Sequence, residues 1–138
     1  MNVIVNDQGF QPDDWTDGYV TLDDAANDVV ALDVSSDTDP DDLADRLSGV
    51  KLVRVDFPSF ADGRGFTIAR TLRLKGFTGR LRAKGHVLAD QYAMARRSGF
   101  DEIEIDNDLA ERQPEQQWLA RASWTSHDYQ ARLRGQTN

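Results

Sequence analysis

The sequence has no cysteine and only two histidines among its 138 residues. Without cysteine the chain cannot form disulfide bonds, thiolate zinc sites or cysteine-ligated iron–sulfur clusters, and it has no thiol nucleophile. Two histidines also make a bis-histidine haem site a poor interpretation. We therefore expect neither a metal nor a cofactor, and any redox role would depend on a partner protein or a bound organic molecule.

A long apolar segment is also missing. Runs such as residues 29–32 are far shorter than the roughly 20 residues that a membrane-spanning helix needs. The acidic N-terminus has neither the basic region nor the apolar region of a secretory signal. We therefore expect a cytoplasmic protein without a membrane partner, and the length suits one domain with its own core.

Basic side chains are scarce in the first third, where residues 1–49 contain thirteen aspartates and one basic residue, Arg46. Residues 50–100 contain eleven lysines and arginines against three aspartates, a net charge of +8. Most of these cations are arginines, whose planar fork suits carboxylate, phosphate or sulfate. Either the acidic segment lies against the basic one, or the basic third binds an anion. An acidic chain without a lysine-rich tract makes nucleic acid an unexpected partner.

The pattern of the chain changes near Val29. Residues 1–28 contain many aspartates and turn-forming residues, which predicts an irregular acidic arm with a short strand at Val3–Val5. From Val29 onward, short β-branched runs alternate with amphipathic stretches of helix length, which is typical of a parallel sheet with covering helices. We therefore predict an α/β domain over residues 29–122, in which Trp118 joins the core, and a C-terminal tail over residues 123–138.

About four β–α units are predicted in this domain. The predicted strands are Val29–Val34, Lys51–Phe57, Arg80–Lys84 and Asp101–Asp106. One helix begins at Pro40 after an N-cap at Thr38 or Asp39, and another begins within Asp62–Gly65. A third is predicted from about His86 to Arg97, and a last one, after a polar loop, over Pro114–Ala122. Four units suit a small open parallel sheet or half of a (βα)8 barrel.

In either architecture, ligands bind beyond the carboxyl ends of the strands. The residues predicted at this rim combine carboxylates with cations. They are Asp33, Asp56, Asp62, Gly63, Arg64, Gly65, Lys84, Gly85, His86, Asp106 and Asn107.

The segment Asp62–Gly65 is the leading candidate for an anion site. Gly63 and Gly65 allow consecutive backbone N–H groups to turn toward an anion, while Arg64 supplies a fork of donors at a helix start. The simpler interpretation is a tight turn in which Asp62 is the N-cap and Arg64 pairs with Asp56 or Asp62. The segment is neither a Walker A nor a dinucleotide-binding motif.

Two other rim interpretations remain open. His86, close to Lys84 and Asp90, is either an acid or anion-binding group or a solvated residue at a helix start. The strand-terminal aspartates Asp33, Asp56 and Asp106 have a geometry compatible with Mg²⁺, but such residues also cap helices and form turns, and their spacing does not favour a metal.

Three segments together resemble a known bacterial family. Phe60–Arg73, Gly79–Gln91 and Arg97–Asp101 are similar to the family called domain of unknown function 934, whose members are described as oxidoreductases associated with sulfite reduction. The resemblance covers about Val50 to Ile105 and does not include the aspartate-rich first third. It implies a setting in assimilatory sulfate reduction alongside sulfite reductase. The residues that match the family pattern, without assigned catalytic roles, are Asp62, Gly63, Arg64, Gly65, Arg82, Asp90 and Gln91.

Three functional hypotheses follow from these patterns and from the resemblance. The first is an accessory protein without chemistry of its own, whose rim binds an oxyanion or contacts sulfite reductase or another sulfur-assimilation protein. The second is a small enzyme for a sulfur-containing or phosphorylated metabolite, with Arg64 as anion clamp and His86 or a carboxylate as acid or base. The third is a regulator that binds its ligand without turnover. A homo-oligomer that completes a barrel is also open.

Overall fold

The computed structural model describes residues 2–22 and 29–125 and shows a mixed α/β protein around one seven-stranded sheet. Its strands are β1 Val3–Asn6, β2 Gly9–Gln11, β3 Val20–Thr21, β4 Ala31–Val34, β5 Leu52–Phe57, β6 Arg80–Gly85 and β7 Glu102–Ile105. Its α-helices are α1 Pro40–Ala44, α2 Arg64–Leu74, α3 Tyr92–Ser98, α4 Asn107–Arg112 and α5 Glu115–Leu119. Within the described residues no helix has the length and apolar character needed to cross a membrane. Most of the predicted C-terminal tail, from residue 126 onward, lies outside the described residues.

The strand order across the sheet is β2-β1-β7-β6-β5-β4-β3. Strands β3 to β7 run parallel, whereas β1 pairs antiparallel with both β7 and β2. The sheet is open, as in the first of the two predicted architectures, and β2 and β3 form its edges. Because β4 to β7 lie side by side in chain order, right-handed connections place the helices between them on one face.

That face carries the hydrophobic core. Side chains alternate along each strand, so every second residue of β4 to β7 points toward the helices. Phe57, at the end of β5, packs its ring 5.0 Å from Phe66 and 5.8 Å from Phe100. Trp118 is buried, as predicted, and its Nε1 donates to the Gln113 carbonyl at 2.8 Å. Other core residues are Leu32, Val34, Leu43, Val53, Val55, Ile68, Leu72, Leu81, Ala83, Tyr92, Ile103 and Ile105.

Where boundary signals are local, the elements begin as predicted. The Asp39 side chain caps α1 by accepting from the Asp41 N–H at 2.9 Å, and Pro40 takes the first helical position. Helix α2 begins within the predicted Asp62–Gly65 segment. The predicted strands of residues 29–122 are all present, and their ends differ from the predicted ends by at most two residues.

Two predictions about the second half of the domain are wrong. The helix predicted from His86 begins only at Tyr92, after a 3-10 turn at Ala89–Gln91. Gly85, at φ +111°, turns the chain so that the His86 N–H donates to the Phe57 carbonyl at 3.0 Å, which holds this segment beside β5. The segment predicted as a polar loop before α5 contains α4.

The N-terminal arm is more regular than predicted. The strand at Val3–Val5 is confirmed as part of β1, but β2 and β3 also belong to the sheet. Between β1 and β2, the Asp7 carboxylate accepts hydrogen bonds from the Tyr92 hydroxyl, the Arg96 guanidinium and the Trp124 indole N–H. These contacts join the first hairpin to α3 and to the chain that follows α5.

Candidate functional site

A small cleft opens beyond the carboxyl ends of β6 and β7, at the edge of the sheet where parallel α/β proteins bind ligands. We call it the rim cleft. Its volume is about 120 Å³. A water molecule occupies about 30 Å³ in the liquid, so the cleft suits a ligand of a few heavy atoms. Its polar lining consists of Asn2, Lys84, His86, Glu104, Asp106 and Arg112, and Phe60, Gly85 and Leu109 complete the walls.

The imidazole of His86 is held in a defined orientation at this cleft. Its Nδ1 lies 3.2 Å from the Phe57 carbonyl oxygen, and its ring packs edge-on against Phe60 with the ring centres 5.0 Å apart. A carbonyl oxygen only accepts hydrogen bonds, so Nδ1 carries a proton and donates. This contact leaves Nε2 as the nitrogen that can accept from a ligand, or donate to one when the ring is protonated.

The cations and the carboxylates of the rim cleft are engaged to different extents. Among the described residues, neither Lys84 nor Arg112 forms a salt bridge. Glu104 accepts from Asn2 at 2.7 Å and from two arginines of the sheet at 3.1 Å each, and Asp106 caps α4 by accepting from the Leu109 N–H at 2.8 Å. The carboxylates are therefore largely satisfied by protein groups, whereas two cations and an imidazole are available to a small anion.

Arg64, the leading sequence candidate, lies in a different place. Its Nη2 donates to Asp62 at 2.8 Å and to the Ser36 hydroxyl at 3.0 Å, and its Nε donates to Asp62 at 3.1 Å. The cavity that it lines, with Ser36 to Pro40, Thr67 and Ile68, shares no residue with the rim cleft. The fork of Arg64 is thus occupied by the carboxylate of its own loop, and Arg64 does not meet Lys84 and His86.

The glycines around Arg64 do not form the anion nest that the sequence suggested. Neither Gly63 nor Gly65 has a positive φ. A Cβ on Gly65 would lie 2.4 Å from the Phe57 ring, so this glycine allows α2 to pack closely on β5. Hydrogen bonds from the Arg64 side chain and backbone N–H hold the pKa of Asp62 well below its usual range. Asp62 therefore occupies the donors that an anion would need.

The face of the sheet opposite the core is charged. Asp33, Arg54, Arg82 and Glu102 are register partners across β4 to β7, so their side chains form one row. With Arg80 and Glu104, they make up what we call the charged face. Arg54 binds both carboxylate oxygens of Asp33, at 3.0 and 2.7 Å, and also donates to Glu104. Arg82 donates to Glu102 at 2.5 Å and to Glu104 at 3.1 Å.

Residues 12–19, which we call the strap, connect β2 to β3 over the charged face. Asp13 accepts from Arg82 at 3.1 Å, and Asp14 accepts from Arg80 at 2.9 Å. The Tyr19 hydroxyl accepts from Arg82 at 2.9 Å, and its ring lies 3.6 Å from the guanidinium carbon of Arg54. In these residues the acidic first third lies directly against the basic second third, as one of the two interpretations of the charge pattern predicted.

The charged face holds its arginines firmly in the charged form. Burial lowers the pKa of Arg54, but hydrogen bonds to Asp33 and the charges of Asp33 and Glu104 outweigh burial and raise that pKa above its ordinary value. Burial likewise lowers the pKa of Arg82, and the charge and hydrogen bond of Glu102 outweigh it. Burial raises the pKa of Tyr19 despite the neighbouring arginines. Near neutral pH the face therefore consists of ionised pairs beneath a neutral phenol.

Of the remaining sequence candidates, Asp90 and Gln91 have side-chain partners. Asp56 follows Arg54 on β5 and is the register partner of Lys84. Asp90 is exposed and forms a salt bridge with Arg121. The Gln91 side chain accepts from the Leu88 N–H and donates to the Phe60 carbonyl at 3.1 Å, which ties the 3-10 turn to the loop after β5. The described residues contain no group of three or more potential metal ligands.

Sequence reasoning missed Arg112, because it belongs to a segment that was predicted to be a polar loop. One local signal was present for Arg112. Asp106 followed by Leu109 and Ala110 is typical of an N-cap and the first turn of a helix, and that helix brings Arg112 to the rim cleft.

The fold and the rim cleft define a class: a small open α/β protein with a cleft of anion size at the carboxyl edge of its parallel strands. A family model described as "Bacterial protein of unknown function (DUF934)" matches residues 31–138, and the chain belongs to that family, as its resemblance predicted. Comparison with curated proteins and with solved structures gave no match. The matched region begins at β4, so β1, β2, β3 and the strap precede it.

Proposed function

We propose that this protein is a non-catalytic accessory protein of assimilatory sulfite or sulfate reduction that binds an oxyanion in the rim cleft. The observation that carries the proposal is the charge balance of that cleft. Lys84 and Arg112 have no salt-bridge partner among the described residues, while the carboxylates beside them are already hydrogen-bonded. The pathway is supported by the family resemblance, and the binding chemistry is supported by the cleft.

A small tetrahedral or pyramidal oxyanion matches this cleft in size and in donors. Arg112 offers a planar fork of N–H groups and Lys84 a compact charge. His86 adds an Nε2 that donates when the ring is protonated. Of the described carboxylates at the carboxyl ends of the strands, Asp33, Glu104 and Asp106 accept hydrogen bonds from protein groups, and Asp56 does not. Sulfite and sulfate are the oxyanions that the proposed pathway provides.

The alternative of a small enzyme with Arg64 as anion clamp receives less support. Arg64 is bound to Asp62 and Ser36, and it lies outside the rim cleft that contains His86. The imidazole of His86 therefore does not share a cavity with the proposed clamp, and the nearest carboxylate, that of Asp62, is engaged by Arg64 itself. The accessory role needs only binding, which the rim cleft is suited to provide.

Calorimetric and NMR titrations with sulfite, sulfate and inorganic phosphate test the oxyanion site. We expect saturable binding that Lys84→Gln and Arg112→Gln each weaken by about tenfold, the loss expected for one charge-assisted contact. Arg64→Gln is the matched control and should leave affinity unchanged. The proposal is wrong if no oxyanion binds, or if Arg64→Gln weakens binding as much as the rim-cleft variants do.

The partner role is tested separately. We expect the protein to capture sulfite reductase or another sulfur-assimilation protein at low ionic strength, with affinity falling as salt rises, because the chain carries a net charge of −8. Failure to capture these proteins at low salt would remove the partner role and leave the oxyanion site to stand on its own titration.

A further inference from the structure

The strap is attached differently from the rest of the chain. It runs from one edge of the sheet to the other across the middle strands, whose arginines it contacts. All its residues are exposed except Trp15 and Tyr19, which are half-buried. Its attachment to the charged face includes three aspartate–arginine ion pairs, one phenol hydrogen bond and one stacked guanidinium. Contacts of this kind, at partly exposed positions, are weakened by salt and compete with water.

The strap satisfies the arginine beneath it incompletely. Arg82 is 0% exposed, and its Nη2 has no hydrogen-bond partner in the part of the chain that the structure describes. The nearest strap carboxylate, that of Asp14, lies 3.5 Å from this nitrogen and is hydrogen-bonded to Arg80. A buried donor without an acceptor is unfavourable. A segment that placed a carboxylate on Nη2 would therefore fit this face better than the strap does.

The composition of the charged face indicates what kind of occupant it suits. Without the strap, its three arginines face three carboxylates, Asp33, Glu102 and Glu104, so the face has no net charge. A free oxyanion would gain little from such a surface. An extended peptide would bind more favourably, because its carboxylates can reach Arg80 and Arg82 while an aromatic ring of the peptide stacks on Arg54, as Tyr19 does.

We propose that the strap is a displaceable cover and that the charged face docks an acidic, aromatic-bearing segment of a partner protein. The strap, with the sequence Asp13-Asp14-Trp15 followed by Tyr19, occupies this face as an internal substitute for that segment. Its position ahead of the family-matched region fits a cover added to a common domain. This inference rests on the partner-binding part of the proposed function, and it names the surface and the chemistry of the partner.

A peptide copy of the strap tests the proposal in the full-length protein. The probe is a fluorescent peptide with the sequence of residues 11–20, and the protein variant is Asp13→Asn/Asp14→Asn/Tyr19→Phe, which loosens the strap and leaves the face intact. We expect the peptide to bind this variant at least about tenfold more tightly than it binds the unmodified protein, because the internal competitor is weakened. Binding should fall as NaCl rises from about 0.05 to about 0.5 M.

Two matched controls assign the binding to the charged face. A peptide with asparagine in place of its aspartates should bind at least about tenfold more weakly, and so should the intact peptide when Arg80→Gln is added to the loosened variant. Lys84→Gln in that background should leave peptide binding unchanged, which separates this surface from the rim cleft. Failure of the oxyanion titrations therefore leaves this test unaffected, and the reverse also holds.

Several outcomes would overturn the proposal. One is that the folded triple variant shows no saturable peptide binding. Another is that sulfate, at a concentration similar to that of the peptide, displaces the peptide completely, which would indicate a simple anion site. A dimer formed by exchange of straps would assign the face to a second copy of the chain. If the triple variant does not fold, hydrogen exchange of the unmodified protein tests the proposal instead. The proposal requires the amides of residues 13–19 to exchange faster in high salt than in low salt while those of β5 and β6 stay protected. Equal protection of residues 13–19 at both salt concentrations would contradict it.

Discussion

Leu81 and Arg82 are neighbours on β6, and both have no exposed surface, yet they lie on opposite faces of the sheet. The side chain of Leu81 is covered by helices and belongs to the apolar core. Arg82 is covered by the strap and contacts carboxylates and a phenol. The same strand is therefore held on one side by removal of apolar surface from water and on the other by matched charges.

The two faces should differ in what they contribute to folding. Burial of apolar side chains stabilises the fold without a specific partner, since any well-packed neighbour excludes water. Buried ion pairs lose hydration that their attraction only partly restores, so their net contribution is small even though breaking one pair is costly. We infer that the helix-covered face supplies most of the stability and that the charged face supplies specificity of contact.

The sharpest test of this difference is the substitution Arg82→Met. It removes the central cation and leaves Glu102 and Glu104 buried with one arginine partner each, so we expect a loss of about 3 kcal/mol in the free energy of unfolding. Leu81→Ala, one residue away, should lower the free energy of unfolding by a comparable amount, about 2–5 kcal/mol, because it creates a cavity. Chemical denaturation of both variants measures the two losses.

Double variants distinguish the mechanisms behind these two losses of stability. Adding Glu104→Gln to Arg82→Met should recover about 1 kcal/mol, because it removes a carboxylate that has lost a partner. The same change added to Leu81→Ala should give simple additivity, since the two residues are on opposite faces. If Glu104→Gln were simply additive with both substitutions, the buried charges would make no specific contribution to stability on this face.

Close packing on the apolar face can be examined with Gly65→Ala. Alanine favours a helix over glycine, but the new Cβ would lie 2.4 Å from the Phe57 ring, which is itself packed against Phe66 and Phe100. We expect overpacking to prevail and to cost about 1–2 kcal/mol, measured by thermal and chemical unfolding. Gly63→Ala is the matched control, because its Cβ would meet only one atom at 3.9 Å, and it should not destabilise the protein.

The smallest expected effect concerns pH and the Asp7 contacts. Burial raises the pKa of Asp7, but hydrogen bonds from Tyr92, Arg96 and Trp124 outweigh it and lower the pKa below its ordinary value. A carboxyl with a depressed pKa in the folded state contributes stability above its ordinary pKa and loses it as pH falls through the depressed value. Asp7→Asn should therefore cost about 1 kcal/mol at pH 7.

That difference between Asp7→Asn and the unmodified protein should shrink as the solution becomes acidic, because protonation of Asp7 removes the same charge. Urea unfolding of both proteins, at pH values from neutral to below the ordinary carboxyl pKa, measures this difference in stability. A difference that stays constant across this range would mean that the ionised form of Asp7 does not contribute to stability.

The rim shows a second contrast between local and distant information. The strand that leads to Arg64 and the helix that follows it were predicted from local signals, and both are present. The partner of Arg64 proved to be Asp62, two residues away, which the simpler interpretation of the segment had included. The rim cleft joins Lys84 and His86, from the carboxyl end of β6, to Arg112 of α4, and its assembly depends on the register of β6 and β7.

Sequence reasoning failed where a segment's structure depends on distant partners. The hairpin of β1 and β2 and the short β3 extend the sheet at its two edges, but the sequence predicted only the Val3–Val5 part of β1, because little in the residues of β2 and β3 distinguishes them from an irregular arm. Their strand conformation is stabilised by pairing with β7 and β4, about 100 and 10 residues further along the chain. The late start of α3 has the same origin, since the Phe57 carbonyl holds His86 beside β5.

The amino-acid sequence by itself determined the α/β class, the four central strands, the start of α1 at Pro40 and the family. These depend on side-chain alternation, on caps and on turn residues, which act within a few positions of the chain. Only the tertiary structure decided that Arg82 lies buried beneath the strap and that Lys84 and His86 share a cleft with Arg112. Such contacts depend on strand order and register, because these bring together side chains that are 20 or more residues apart in sequence.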